Sequence, residues 1–476
     1  MQATGTKQTS GSRGLGPTLA LLLLAALIGI GTTVAGALAV LPVFGLLLIV
    51  WIVARPEYGI ALFLSTFLMN YPKALQGTGF LTINNVLGGI FLVLLAYEVY
   101  REEDWWFLRA PEVQILVFIV FAFYLSGRFH APDSAKLSLL GVQVTTAANL
   151  RTFINRVAFV VFFINFIRAP EHIRMIYVLA LAFMVVTALT GIQSVLQGGG
   201  LYGQRATARV ILAAVNPNRL AMFAILAIAG LWYLAQSLQP VALRFVIIPT
   251  IVVLALAVFM TASRGGLLGL GVCALVILID QRASLTIIFN LALAGVLLMM
   301  LVLRFVPAKS LERITNLPGT QAGRTGEGAG SLQRRQYAWR IAIDMARESP
   351  FLGVGMGNWE VARFLRDPTR STGAPHSSYL LALVEGGAFC LTGFLVLLWR
   401  TWRNLRISED YLSDPAFPLA DLLWIVKSAK VSLVVLVFFS IFADLWQLVI
   451  LFWLVGLGIV IRRMVERTAL EEIVAY

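Results

Sequence analysis

Along this 476-residue chain the apolar residues run in unbroken blocks, without the alternation of a half-buried strand or the three-to-four spacing of a surface helix. The stretches "LALLLLAALIGIGTTVAGALAVL" and "VLALAVFM" leave no polar face for water. Blocks of about 18 to 20 such residues read as membrane-spanning helices. Only helices and closed barrels satisfy their backbone inside lipid, and barrel strands would alternate in polarity. The pattern predicts spans at 18–38, 41–54, 58–72, 83–100, 112–128, 151–167, 174–196, 217–236, 243–262, 265–280, 284–304, 377–399, 426–444 and 446–462. The expected fold is an all-α polytopic membrane protein of about 12–14 transmembrane helices with one large loop, 305–376. The short third block could instead be re-entrant. The first block is too long for a signal peptide, lacks a small-residue cleavage site, and is expected to be retained.

Composition agrees with this class. Residues are 59% hydrophobic and 13% charged, against about 25% charged in a soluble domain. Both cysteines, Cys273 and Cys390, fall in predicted spans, so no disulfide framework is expected. The net charge is +13. With the N-terminus in the cytoplasm, an even number of spans returns the C-terminus there. Cytoplasmic segments then hold 17 of the 37 Lys and Arg residues, 11 fall in or beside 305–376, and 9 lie in other outward segments. Short loops set orientation and long ones translocate regardless of charge, so this bias supports the assignment. The run "RTWRNLR" is placed to meet anionic headgroups.

The outward side nevertheless carries arginines where they are normally scarce: Arg205, Arg209, Arg219, Arg264, Arg334, Arg335 and Arg340. Arg205 and Arg209 precede Asn216-Pro217-Asn218, and "SRGG" places Arg264 between two spans. An arginine near the bilayer is costly to insert, about 2.5–3.5 kcal/mol, so its retention beside glycines suggests a bound anion. Besides Arg264, the ionisable residues set deepest by this reading are Glu98, Asp280, Glu385 and Asp444, all near span ends.

The loop has two halves. "NLPGTQAGRTGEGAGS" is Gly-rich and polar. In "LQRRQYAWRIAIDMARESP", Tyr337, Ile341, Met345 and Trp339, Ala342, Ala346 recur at helical spacing, predicting an amphipathic helix that stops before Pro350 and lies along the outer membrane surface. Gly353, Gly355 and Gly357 permit a tight turn or close approach of backbone to a ligand. "PHSS" then opens the next span, with Ser377 and Ser378 able to cap it and His376 able to accept a proton near neutral pH. Glu385, nine positions on, would lie about half a turn out of phase with His376. No Asp-x-Asp pair lies outside the spans, no His/Cys cluster has metal spacing, and no serine elbow is visible.

In series, "RATAR…NPNRLA", "SRGG", "RRQYAW…ARESPFLGVGMGNW" and "PHSSYLLALVEGGAF" resemble the O-antigen ligase and polymerase superfamily over roughly 200–400. That group includes lipopolysaccharide O-antigen ligases, O-antigen polymerases and O-linked oligosaccharyltransferases. One departure is Cys390, where the family more often has a small residue or tyrosine after the glycine matched by Gly387. The resemblance implies a cofactor-free, metal-independent, inverting glycosyltransferase of the C-type membrane architecture in a bacterial inner membrane. It would take a glycan from undecaprenyl pyrophosphate on the periplasmic side and pass it to a hydroxyl of lipid A–core, or to a lipid-linked glycan in the polymerase variant. Arg264 and Arg335 would bind pyrophosphate, Arg205, Arg209 and Arg340 would be second candidates, and His376 would be the base. Membrane lipids are expected partners and nucleic acid is not. The implied organisation is a tail at 1–17, helices at 18–200, a catalytic region at 201–400 and a C-terminal part at 401–476. A reading from another class, a transporter of the same lipid, would predict related halves and midplane charges.

Overall fold

The computed structural model of the protein describes residues 40–68, 82–129, 146–197, 216–238, 241–282, 295–296, 298–306, 311, 327–367, 375–445 and 448–475. Its helices are α1 (Val40–Ala54), α2 (Pro56–Leu68), α3 (Ile83–Glu102), α4 (Pro111–Phe129), α5 (Thr146–Phe166), α6 (Pro170–Leu196) and α7 (Pro217–Ser237). There follow α8 (Arg244–Met260), α9 (Arg264–Asp280), α10 (Glu327–Glu348), α11 (Trp359–Arg366), α12 (Ser378–Leu412), α13 (Leu423–Phe439) and α14 (Val449–Ala475). Among the described residues there is no strand, and seven helical segments are long and apolar enough to cross a membrane. These are α3, α4, the 147–166 part of α5, α6, α7, α12 and the stretch 420–439 that ends in α13. The chain is an all-α polytopic membrane protein. The predicted span 18–38 lies outside the described residues, as do most of 284–304 and the last four residues of 58–72.

The chain forms two compact units, residues 1–59 and 60–476. In the first, Trp51 stacks on Tyr58 with ring centroids 5.2 Å apart. In the second, α7 is buried around its circumference, with Leu220, Ala221, Met222, Ala224 and Ile225 fully enclosed. A helix apolar on every side belongs in an interior. Small residues let neighbours approach: a Cβ on Gly230 would meet Leu181 of α6 at 2.2 Å. A second core gathers Phe63, Phe91, Phe159 and Phe162 from α2, α3 and α5, with Phe63 edge-on to Phe159 at 5.7 Å.

Two glycine-rich motifs explain each other. Gly353, Gly355, Gly357 and Gly387 all have positive φ. Gly387 breaks α12 one quarter of the way along, and the turn after Pro350 fills the break. Val354 N–H donates to the Val384 carbonyl (2.7 Å), Gly355 N–H to Glu385 (3.0 Å), and Ala388 N–H to Pro350 (2.8 Å). A Cβ on Gly387 would sit 2.1 Å from the Phe351 carbonyl oxygen, and one on Gly353 would sit 2.3 Å from the Val384 oxygen. The close approach these glycines permit is therefore backbone on backbone.

The loop helix also differs from expectation. α10 starts at Glu327 and ends before Pro350, but its apolar face packs on α12, with Ala342 and Met345 fully buried. Protein, not lipid, covers that stripe.

Candidate functional site

Three helices begin at one place. α7 is capped by Asn216, whose side chain accepts from Asn218 N–H. α9 is capped by Ser263, which accepts from Gly266 N–H, and α12 by Ser377, which accepts from Leu380 N–H. Side chains tie these starts together. Ser263 Oγ donates to Asn218 Oδ1 at 2.7 Å. Ser378 Oγ donates to the Ala443 carbonyl and accepts from Leu445 N–H, both at 2.8 Å, while Ser378 N–H donates to the Ser440 carbonyl at 2.8 Å. Phe442, in that same 440–445 turn, lies 3.2 Å from where a Cβ on Gly265 would be, and a Cβ on Gly266 would meet Ala221 at 2.7 Å. The glycines of "SRGG" thus admit protein neighbours. The loop helix joins through Trp339, whose Nε1 donates to the Pro375 carbonyl at 2.7 Å.

This scaffold fixes His376. Its backbone is left-handed, φ 50°, a conformation costly for a residue with a Cβ and held by the contacts of Pro375, Ser377 and Ser378 on either side. Because His376 precedes the helix, helical phase does not relate it to Glu385. That carboxyl is buried beneath the glycine turn, with Gly357 and Trp359 N–H groups directed at it and Oε2 without a hydrogen-bond partner.

The imidazole Nδ1 faces Asp444 Oδ2 at 3.6 Å, and the side chain is 39% exposed. That separation is too long for a hydrogen bond but orients the ring electrostatically. Burial is the largest influence on the imidazole and lowers its pKa below 6.5; the positive charges of Arg335, Arg219 and Arg334 lower it further. Burial likewise pushes Asp444 up to about 6, opposed by Arg219, the Ser377 N–H and Arg335. At neutral pH the imidazole is thus held neutral and ready to accept a proton.

Of the residues expected to act here, His376, Arg335 and Arg264 come to this region: Arg335 acts on both His376 and Asp444, and Arg264 opens α9 beside the Ser263–Asn218 bond. Arg340 is exposed, five residues along α10 from half-buried Arg335 and so about 140° around the helix from it. The structure does not bring those two to one face. Arg205 and Arg209 lie outside the described residues. Two arginines near this region escaped the sequence reading. Arg219 appeared there only as one outward arginine, yet it faces Asp444 and His376. Arg156 was overlooked among the deep ionisable residues, although it stands at the midpoint of α5, and an arginine inside an apolar run was the available signal. Among the described residues, no group of three or more His, Cys, Asp or Glu comes together, and Arg219, Arg334 and Arg335 bring guanidinium charge to the imidazole. Three helix N-termini add their own positive ends.

A search of curated proteins finds no match to the chain. Residues 249–395, which hold the α9 start, α10, the glycine turn and His376, match the family described as O-antigen ligase. That segment carries an O-antigen ligase domain, in agreement with the superfamily resemblance of its motifs.

Proposed function

We propose that this cluster binds the diphosphate of an undecaprenyl-linked glycan and that His376 activates the acceptor. The observation that carries the reading is a neutral, half-exposed imidazole among Arg219, Arg334 and Arg335, at the joint start of three helices. Asp444 faces Nδ1, which leaves Nε2 as the acceptor of the proton. In the step proposed, the acceptor hydroxyl gives its proton to Nε2 and its oxygen attacks the sugar C1. The C1–O bond to the diphosphate breaks, with inversion at C1, and the diphosphate leaves with the bonding pair. Arginine forks bind phosphate oxygens bidentately and stabilise that growing charge without a metal. Arg264 and Arg335 are assigned to the diphosphate, with Arg205 and Arg209 as further candidate ligands, and Arg340 is set aside because it lies on another face of α10.

In this reading residues 201–400 form the catalytic region, of the C-type architecture. The site opens to the periplasm from the inner membrane, and the acceptor is lipid A–core. The test is glycan transfer by purified protein: His376→Ala should lower the rate by about 10²–10⁴ while undecaprenyl diphosphate still binds. Normal transfer by that variant would sink the assignment. A gel of surface polysaccharide from a deletion strain separates the acceptors. Loss of all polymer on lipid A supports ligation, whereas a single capped repeat supports polymerisation onto a lipid-linked glycan.

A further inference from the structure

Among the described residues, Arg156 meets no carboxylate. It stands ten residues from either end of α5, in a segment apolar enough to span a membrane. Its Nε and Nη1 are buried without a hydrogen-bond partner. The charged group that the described residues set beside it is a second guanidinium, Arg219. Arg219 in turn faces Asp444, next to His376. The preceding residue, Asn155, is engaged with Asn85 of α3 at 3.1 Å and offers Arg156 no charge. Two arginines facing each other in a low-dielectric interior repel, and an unsatisfied guanidinium halfway along a membrane helix is costly. A phosphate between them would supply both the negative charge and the acceptors.

We propose that Arg156 and Arg219 together hold a phosphate group, the lipid-proximal phosphate of the polyprenyl diphosphate donor. The proposal rests on the donor reading above. Depth decides which phosphate. Arg335 belongs to the loop helix and Arg264 to the first residue of α9, whereas Arg156 lies halfway along its span. The polyprenyl chain must remain in lipid, so the phosphate esterified to it is the deeper of the two. Arg219, in the first turn of α7, bridges the levels.

The test uses purified full-length protein in detergent, with undecaprenyl diphosphate as probe and phosphatidylglycerol as comparison. Arg156→Met matches volume and removes the charge. Without ligand its unfolding midpoint should equal or exceed that of the wild type, because an unpaired interior charge is lost. Its Kd for undecaprenyl diphosphate should rise at least about tenfold, its Kd for phosphatidylglycerol should not change, and Arg156→Lys should recover part of the affinity. A lowered midpoint, or a variant that does not fold, would make Arg156 structural and overturn the proposal. Equal losses for both lipids would mark a general headgroup site and overturn it too. Unchanged diphosphate affinity in Arg156→Met beside a weakened Arg335→Gln would end this inference alone. Unchanged affinity in both would also end the donor reading.

Discussion

The two ends of the helices treat their cations differently. Along α12, Asn404 lies 26 residues beyond Ser378, roughly 39 Å at 1.5 Å per residue. At that far end, cations meet carboxylates at close range. Glu112 of α4, almost fully buried, accepts from Arg400 Nε at 2.8 Å and from Asn404 Nδ2 at 3.0 Å, and Arg462 of α14 donates to Asn404 Oδ1 at 2.9 Å. Asp280 at the end of α9 takes Tyr233 at 2.8 Å and Lys427 at 3.2 Å, Arg168 meets Glu98 at 2.9 Å, and Lys430 pairs with Glu409. At the His376 end, by contrast, Asp444 faces both Arg219 and Arg335, and Arg219 also faces Arg156. Arginine content does not separate the ends; close pairing with carboxylates does. Where a cation has its acid at close range, the pair locks helices together. Where several guanidiniums gather around a histidine, the proposed diphosphate would bring the balancing charge.

That contrast can be broken from either side. The largest effect is expected at the far end. Glu112→Ala leaves Arg400 partly buried without its counter-charge, at a cost of about 3–5 kcal/mol. The unfolding midpoint should fall markedly, while transfer per folded molecule is kept, and Glu112→Gln should be milder because it can still accept from Asn404. A loss of transfer without a loss of stability would contradict the division of labour. A smaller effect is expected from Asp444→Asn. The wild-type acid limb of transfer should lie below pH 6.5, because burial and the guanidiniums lower the imidazole pKa and activity is lost only once the ring protonates. Removing the Asp444 charge leaves those guanidiniums unopposed, so the limb should move to lower pH. The weaker base should slow transfer at neutral pH by roughly three- to tenfold. A pH–rate profile checks both, and a limb that moved upward would remove Asp444 from the role of orienting His376.

Much of this was legible in the chain. Long apolar runs predicted spans, because lipid leaves the backbone few alternatives, and spacing predicted α10 and its stop at Pro350. "PHSS", "SRGG" and "NPNR" stood out as polar residues at span starts. Their meeting was not legible. It depends on Ser263 reaching Asn218 and on Ser378 holding the 440–445 turn, contacts across 45 and 65 residues of sequence. Asp444 read as the end of a span because nothing local joins it to His376. The glycines of "SRGG" and "GVGMG" were read as room for a ligand, since composition records the absence of a Cβ without saying what occupies the space. Phe442, Ala221 and the α12 backbone occupy it. Arg156 was missed because a single arginine barely lowers the hydropathy of its run.

Equilibrium binding of undecaprenyl diphosphate compares the two ends most directly. The account predicts that Arg264→Gln with Arg335→Gln weakens binding by two or more orders of magnitude, about 1.5–3 kcal/mol for each charged contact removed. Arg168→Gln, at the far end, should bind as the wild type does. Equal affinities in all three proteins, or a loss confined to Arg168→Gln, would contradict it.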